Sequence, residues 1–281
     1  MRKYLTIAIL VTTLSASAQN FLSWQYNDRY FSVQAGSGHS MYLGELNSSY
    51  TVQNLPSNAT LALETRLLSR FSMQIEVTRY KLKAGDYNAA AGSFERQRNL
   101  SFFSTNYEAT LQSIWFLKPY GGDFFSRWHV DPYLSLGVGI SSYNPMARFN
   151  GENYDLRSLQ TENVAYSKNT PIIPAAMGLK LKVNDFINVI LEISYRYTFT
   201  DYLDDVSTVF PEVTEDNIRS LLINRKNEVG VINANAYQQL VSGTRRGNSD
   251  FNDQYLLLSY RLEFYIPNNR GPLFRKPSAY Q

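Results

Sequence analysis

The residues of this chain best suited to chemistry are three carboxylates in one run, Thr198-Phe-Thr-Asp201-Tyr-Leu-Asp204-Asp205-Val206. Oxygen ligands gathered in this way could hold a hard cation such as Ca²⁺. The spacing fits no EF-hand loop, and acidic residues beside a strand end also serve plain solvation, so no metal is expected. Two histidines are the other candidates. His39 lies near Ser37 and Ser40, whereas His129 adjoins Trp128. A catalytic imidazole needs a nucleophile within hydrogen-bond reach, and the sequence alone does not place one. There is no cysteine, which excludes a thiolate metal site, a cysteine nucleophile and a disulfide scaffold. No phosphate-cradling loop, H-E-x-x-H pair or dinucleotide fingerprint is present. No catalytic residue, cofactor or small-molecule substrate is therefore assigned.

The elements that must position these residues show a repeat of two, apolar against polar, along the chain. It is cleanest at Ile187–Phe199: Ile187, Val189, Leu191, Ile193, Tyr195, Tyr197 and Phe199 share one side, with Asn188, Glu192, Ser194, Arg196 and Thr198 opposite and Ile190 the exception. Similar runs start at Phe71, Leu134, Ala175 and Leu256, and weaker ones cover 30–43, 59–67 and 101–117. Eight strands are expected. Connections at Leu68-Ser69-Arg70 and Asn184-Asp185-Phe186 are minimal, Lys118–Val130 is intermediate, and those around 44–58, 83–100, 143–170 and 200–253 are long. Short turns at one end and long loops at the other mark a bacterial outer-membrane barrel. The fold expected is all-β: a closed antiparallel transmembrane barrel of eight strands with a small filled lumen and long external loops.

The N-terminus agrees with export. Arg2 and Lys3 precede a short apolar stretch, Tyr4 to Leu14, and Ala16-Ser17-Ala18 offers small residues for cleavage before Gln19. Residues 1–18 are read as a signal peptide and 19–281 as the barrel domain, with a periplasmic tail at 267–281. The apolar stretch falls short of the ~20 residues of a spanning helix. Charged residues make up 18% of the chain, too dilute for nucleic-acid binding, which needs clustered Lys and Arg. The expected location is the cell outer membrane, in contact with its lipid.

Charge decides which face is inside. The polar strand faces carry Glu64, Glu76, Glu108, Glu192 and Glu263 together with Arg66, Lys180, Lys182, Arg196 and Arg261. A soluble barrel with a solvated exterior predicts the same residues. Two features favour lipid outside. Strand-end aromatics such as Phe71, Trp115, Tyr195, Tyr197, Phe199 and Phe264 suit interfacial girdles. Gly36, Gly137, Gly139 and Gly178 sit on the polar faces, where an eight-stranded barrel has little room. The lumen is then a network of opposite charges that no solute crosses. Glu192 and Arg196 both point inward about 13 Å apart, so their partners are expected on neighbouring strands.

Outside the strands, Thr214 could cap a helix starting at Glu215, with Ile218, Leu221 and Leu222 on one face. Such a helix either packs on the rim or docks a partner. At the opposite end, Lys118–Val130 is rich in aromatics: Tyr120, Phe124, Phe125 and Trp128. With Arg275 and Lys276 of the tail, these form a candidate periplasmic partner surface.

Several runs resemble one family. They are Tyr42-Leu-Gly-Glu-Leu-Asn47, Asn99-Leu-Ser-Phe-Phe-Ser-Thr-Asn-Tyr-Glu108, Asn144-Pro-Met-Ala-Arg-Phe-Asn-Gly151, Leu159-Gln-Thr-Glu162, Arg246-Gly-Asn248 and Asp253-Gln-Tyr255. The most specific is Thr200, Asp201, Tyr202, Leu203, Asp204 and Asp205, placed at the outer rim. The chain resembles the PorG-like outer-membrane β-barrel proteins of the type IX secretion and gliding machinery. It has Glu45 where Asp is expected in the family's Gly-Asp-Leu. The resemblance implies a non-enzymatic role, anchoring a periplasmic ring of a lipoprotein and its partner to the outer membrane. An outer-rim lipid or peptide hydrolase using His39, and a general structural barrel of the OmpA kind, are the alternatives.

Overall fold

A computed structural model describes residues 30–46, 55–119, 127–213 and 217–266. The expected signal peptide at 1–18 and the tail at 267–281 lie outside the described residues. Eight long strands form the wall: β1 (Phe31–Leu43), β2 (Ser57–Leu68), β3 (Phe71–Gly85), β4 (Ser101–Phe116), β5 (Val130–Ser142), β8 (Asn169–Lys182), β9 (Ile187–Thr198) and β10 (Gln254–Ile266). Each pairs antiparallel with its neighbours in sequence, and β1 pairs with β10 from Phe31↔Ile266 to Leu43↔Gln254. The wall is therefore a closed up-and-down barrel without a free edge, which satisfies every ladder hydrogen bond. Between β5 and β8, β6 (Met146–Phe149) and β7 (Glu152–Asp155) form a hairpin bridged to β4 at Phe103↔Met146.

The alternation of side chains sets the polarity. Leu61, Leu63, Ile75, Val77, Leu136, Val138, Ile140 and Ile193 stand on the outside, each half or more exposed or nearly so. Glu64, Glu76, Glu108, Glu192, Arg196, Arg261 and Glu263 point inward and are buried. An apolar exterior of this extent is a liability in water and a requirement in lipid. Aromatics frame it. Phe71 and Trp115 touch at 6.0 Å near the turn end, and Tyr197 and Phe199 touch at 5.2 Å near the loop end. Inside, glycine makes room: a Cβ on Gly178 would come within 2.3 Å of the Tyr133 ring. No helix among the described residues is long and apolar enough to cross a membrane.

The long loops fold back on the barrel mouth as a cap. They carry short helices α1 (Phe94–Arg98), α2 (Leu156–Leu159), α3 (Ile218–Ile223), α4 (Lys226–Val229) and α5 (Ala234–Gln239). The helix expected from Glu215 begins at Ile218 instead. Asn217 caps it, its side chain accepting from Ser220 N at 3.1 Å, while Thr214 and Glu215 lie outside the described residues. The cap has an apolar core of Leu46, Leu100, Tyr143, Leu156, Leu203, Val206 and Leu222. It continues into the barrel mouth through Tyr42, Tyr80, Leu82, Phe102, Tyr255 and Leu257.

Candidate functional site

The lumen is filled by a chain of alternating charges. Arg261 binds Glu76 and Glu192, each at 2.5 Å, and Arg196 binds Glu76 at 3.0 Å and Glu108 at 2.8 Å. Tyr133 and Tyr255 donate to Glu192 and Glu108 at 2.6 and 2.5 Å. One layer nearer the turns, Lys180 lies between Glu64 and Glu263 at 2.6 and 2.7 Å, and Gln34, Ser32 and Asn188 donate to the same carboxylates. Buried charges persist when paired and hydrogen-bonded in this way. Glu192 finds its partner on the adjacent β10, as expected. Arg196 does not: its carboxylates come from β3 and β4 across the lumen.

Two expected members stand apart. Lys182 is at the turn, paired with Asp185 at 2.9 Å, because β8 ends there and its side chain reaches water. Arg66 is buried but stacks 3.6 Å over the Phe116 ring and donates to the carbonyls of Leu68 and Ser69. Together with Arg127, 3.9 Å over Tyr265, it floors the barrel. The crevice among Tyr30, Arg66, Phe116, Arg127, Lys180 and Tyr265 has about 10 Å³ of room, a single water's worth.

At the loop end, the Thr200–Asp205 run is packed into the cap. Leu203, Asp204 and Asp205 are at most 1% exposed, so solvation does not account for the acids. Asp205 adopts a left-handed conformation (φ 69°), which Asp tolerates, and accepts from the hydroxyls of Thr161 and Tyr166. The Tyr166 ring stacks on Tyr202 at 4.6 Å. Asp204 accepts from Val206 N and Asp253 from Leu203 N, both at 2.9 Å. Both carboxyls also meet the Tyr42 hydroxyl, at 2.7 and 2.5 Å. A phenol has a single proton to give, so one of these two acids must itself be protonated to donate back.

Burial pushes Asp204 up to about 8, with Glu45 adding to it, and lifts Asp253 well above the usual carboxylate range. Asp201 is pushed up to about 7 by burial, although the Ser207 hydroxyl beside it eases ionisation without meeting hydrogen-bond geometry. Burial and then the Asp201 charge raise Glu45 to about 7 as well. Burial raises Asp205 to about 6, with Arg246 pulling the other way. Among the described residues no three acidic or histidine side chains are placed to share a metal ion.

Residues without a role in the sequence reading tie the cap together. Arg98 grips Asp86 with two nitrogens at 2.7 and 2.9 Å and donates to Arg246 O at 2.5 Å. Arg246 in turn binds Glu162 at 2.8 Å, and Glu162 accepts from Ser207 N and from Thr208 N and Oγ1. Three loops are thereby clamped by one relay. Glu162 and Arg246 lie within the quoted runs, but a pair 84 residues apart leaves no local pattern.

His39 Nδ1 is hydrogen-bonded to no nucleophile among the described residues. His39 faces outward, 6.1 Å from the Tyr260 ring, while Ser40 points inward and donates to Lys81 O. His129 is exposed at the turn end. Beside it Trp128 is half-exposed, its Nε1 donating to Pro119 O at 2.9 Å, and Lys118 sits 5.1 Å from its ring. Tyr120, Phe124, Phe125, Arg275 and Lys276 of the candidate partner surface lie outside the described residues.

A closed eight-stranded barrel with apolar walls, aromatic girdles and an ion-paired interior is an outer-membrane β-barrel, and the outer membrane is where this protein resides. The chain belongs to the DUF6089 family (domain of unknown function), whose model matches residues 21–243. Its fold is similar to that of Neisserial surface protein A (13% identity, 83% of this chain and 96% of that one, TM-score 0.41). It is also similar to Ail, the attachment invasion locus protein of Yersinia pestis (8%, 85% and 99%, 0.42). The N-terminal β-barrel domain of Pseudomonas aeruginosa OprF compares likewise (8%, 86% and 100%, 0.39). At these values none bears on what this chain does. No curated protein matches.

Proposed function

We propose that this protein is a non-enzymatic anchor of the outer membrane, which organises periplasmic ring proteins of a type IX-like secretion apparatus from its turn end. The observation that carries this reading is the sealed lumen. Ion pairs fill the middle, Arg66 and Arg127 floor it, and the cap covers the mouth, so the working parts are surfaces. His39 Nδ1 has no hydrogen-bond partner among the described residues although Ser37 and Ser57 share its face of the wall, which favours a non-catalytic role over a rim hydrolase. The PorG-like runs point to the ring as the partner. The contact surface in this reading is the intermediate connection Lys118–Val130, longer than the two minimal turns, of which Lys118 and Trp128 are described.

The test is a photo-crosslinking residue at Trp128 in the native host. Capture of a periplasmic lipoprotein or its ring partner is expected. A correctly inserted barrel that cross-links to no periplasmic protein would leave only a general structural barrel of the OmpA kind.

A further inference from the structure

The outward positions of the eight wall strands carry apolar, aromatic, hydroxyl or amide side chains and His39, with one local exception. On β3 the outward series runs Phe71, Met73, Ile75, Val77 and then Arg79, Lys81, Lys83. Every charge on the outer wall is thus basic, and all three sit on one strand. Arg79 stands opposite Ala59 on β2 and Tyr107 on β4, Lys81 opposite Thr105, and Lys83 opposite Phe103. No acid faces Arg79 across either ladder, and none faces Lys81 across β4.

We infer that the outward face of β3 above Val77 binds the phosphate groups of external-leaflet lipid. The strip starts where the apolar belt stops, beside the interfacial ring of Tyr107. Alternate residues rise about 6.8 Å, so three cations cover about 14 Å from the edge of the hydrocarbon outward. Their aliphatic stems can lie along the wall while the charged heads reach the phosphates. Solvation alone does not ask for this. Elsewhere the outer rim is finished with Ser57, Thr105, Ser142, Asn169 and Gln254, which hydrate well without charge. The Ser40 hydroxyl, donating to Lys81 O from inside, fixes the strand behind the strip. This inference is independent of any periplasmic partner.

The test uses the full mature chain in neutral detergent, with lipid A bearing both phosphates as the probe and native mass spectrometry as the readout. Wild type should retain lipid A. Arg79→Ser/Lys81→Ser/Lys83→Ser should weaken retention on the order of a hundredfold, and Lys81→Ser alone about fivefold, as expected per basic residue near an anionic surface. Lys81→Arg/Lys83→Arg should bind as wild type. All these side chains point away from the lumen, and heat-shifted gel migration checks the fold. Equal retention by the triple variant, or equal binding of dephosphorylated lipid A, would overturn the inference. So would displacement by millimolar inorganic phosphate, which marks a simple anion site, or a strip that holds a lipid-free polysaccharide in preference to lipid A.

Discussion

The lower and upper parts of this barrel obey opposite rules, and one strand shows both. Along β3, Glu76 points in and Val77 out; a few residues on, Tyr80 and Leu82 point in and Arg79 and Lys81 out. Below, ions mesh at the centre because the surroundings are hydrocarbon. Above, the aromatic and aliphatic side chains gather inward because the surroundings are headgroups and water. The level at which the sense inverts is the membrane boundary, written into a strand whose backbone continues unchanged.

The largest effect expected from breaking this contrast is in the lower part. Arg261→Met leaves Glu192 without its cation and Glu76 with Arg196 alone, and should cost about 3–5 kcal/mol, seen as a lower urea midpoint in bilayers. A loss under 1 kcal/mol would mean that water reaches the network. Next come charges on the outer wall. Leu111→Arg should cost about 2–4 kcal/mol and Thr105→Arg about 0–1, so their difference locates the boundary; equal costs would erase it. Smaller again is Tyr42→Phe. It removes the hydroxyl between Asp204 and Asp253, about 1–3 kcal/mol by the cost of an unsatisfied buried group, and should speed proteolysis within 199–253 while the wall stays folded.

The mildest expectation concerns pH. Glu45, Asp201, Asp204 and Asp205 are raised in the folded cap to about 7, 7, 8 and 6. Their unfolded values are near 4. The folded cap therefore holds more protons, and this stabilisation, complete below the unfolded values, fades as pH rises through 6 to 8. Cleavage of the cap by a protease whose own pH dependence is corrected should be faster at pH 8.5 than at pH 5. A flat or inverted profile would show that these acids are charged throughout.

The eight strands were legible because burial on one face imposes a period of two, and the expected ends fall within a few residues of the observed ones. The lumen was legible for the same reason, since Glu76, Glu108, Glu192, Arg196 and Arg261 sit on the faces opposite the apolar ones. The cap was not. Its segments lack periodicity, the β6–β7 hairpin is only four residues a side, and its buried acids look like solvated ones until Tyr42, Tyr166 and Arg246 are brought to them from distant parts of the chain. The inversion on β3 does have a signal in the sequence: the apolar series shifts from odd positions, 71–77, to even ones, 80–84. Read as the start of a loop near 83, that shift conceals Arg79, Lys81 and Lys83.

The seam between β1 and β10 joins the two ends of the described chain over thirteen residue pairs. A polypeptide lacking Gln254–Ile266 therefore presents the raw edges of β1 and β9, whose unsatisfied amides lipid will not accept. Stable insertion must then wait until β10 has been exported and laid against β1, which makes the pairing of this one seam the moment of commitment.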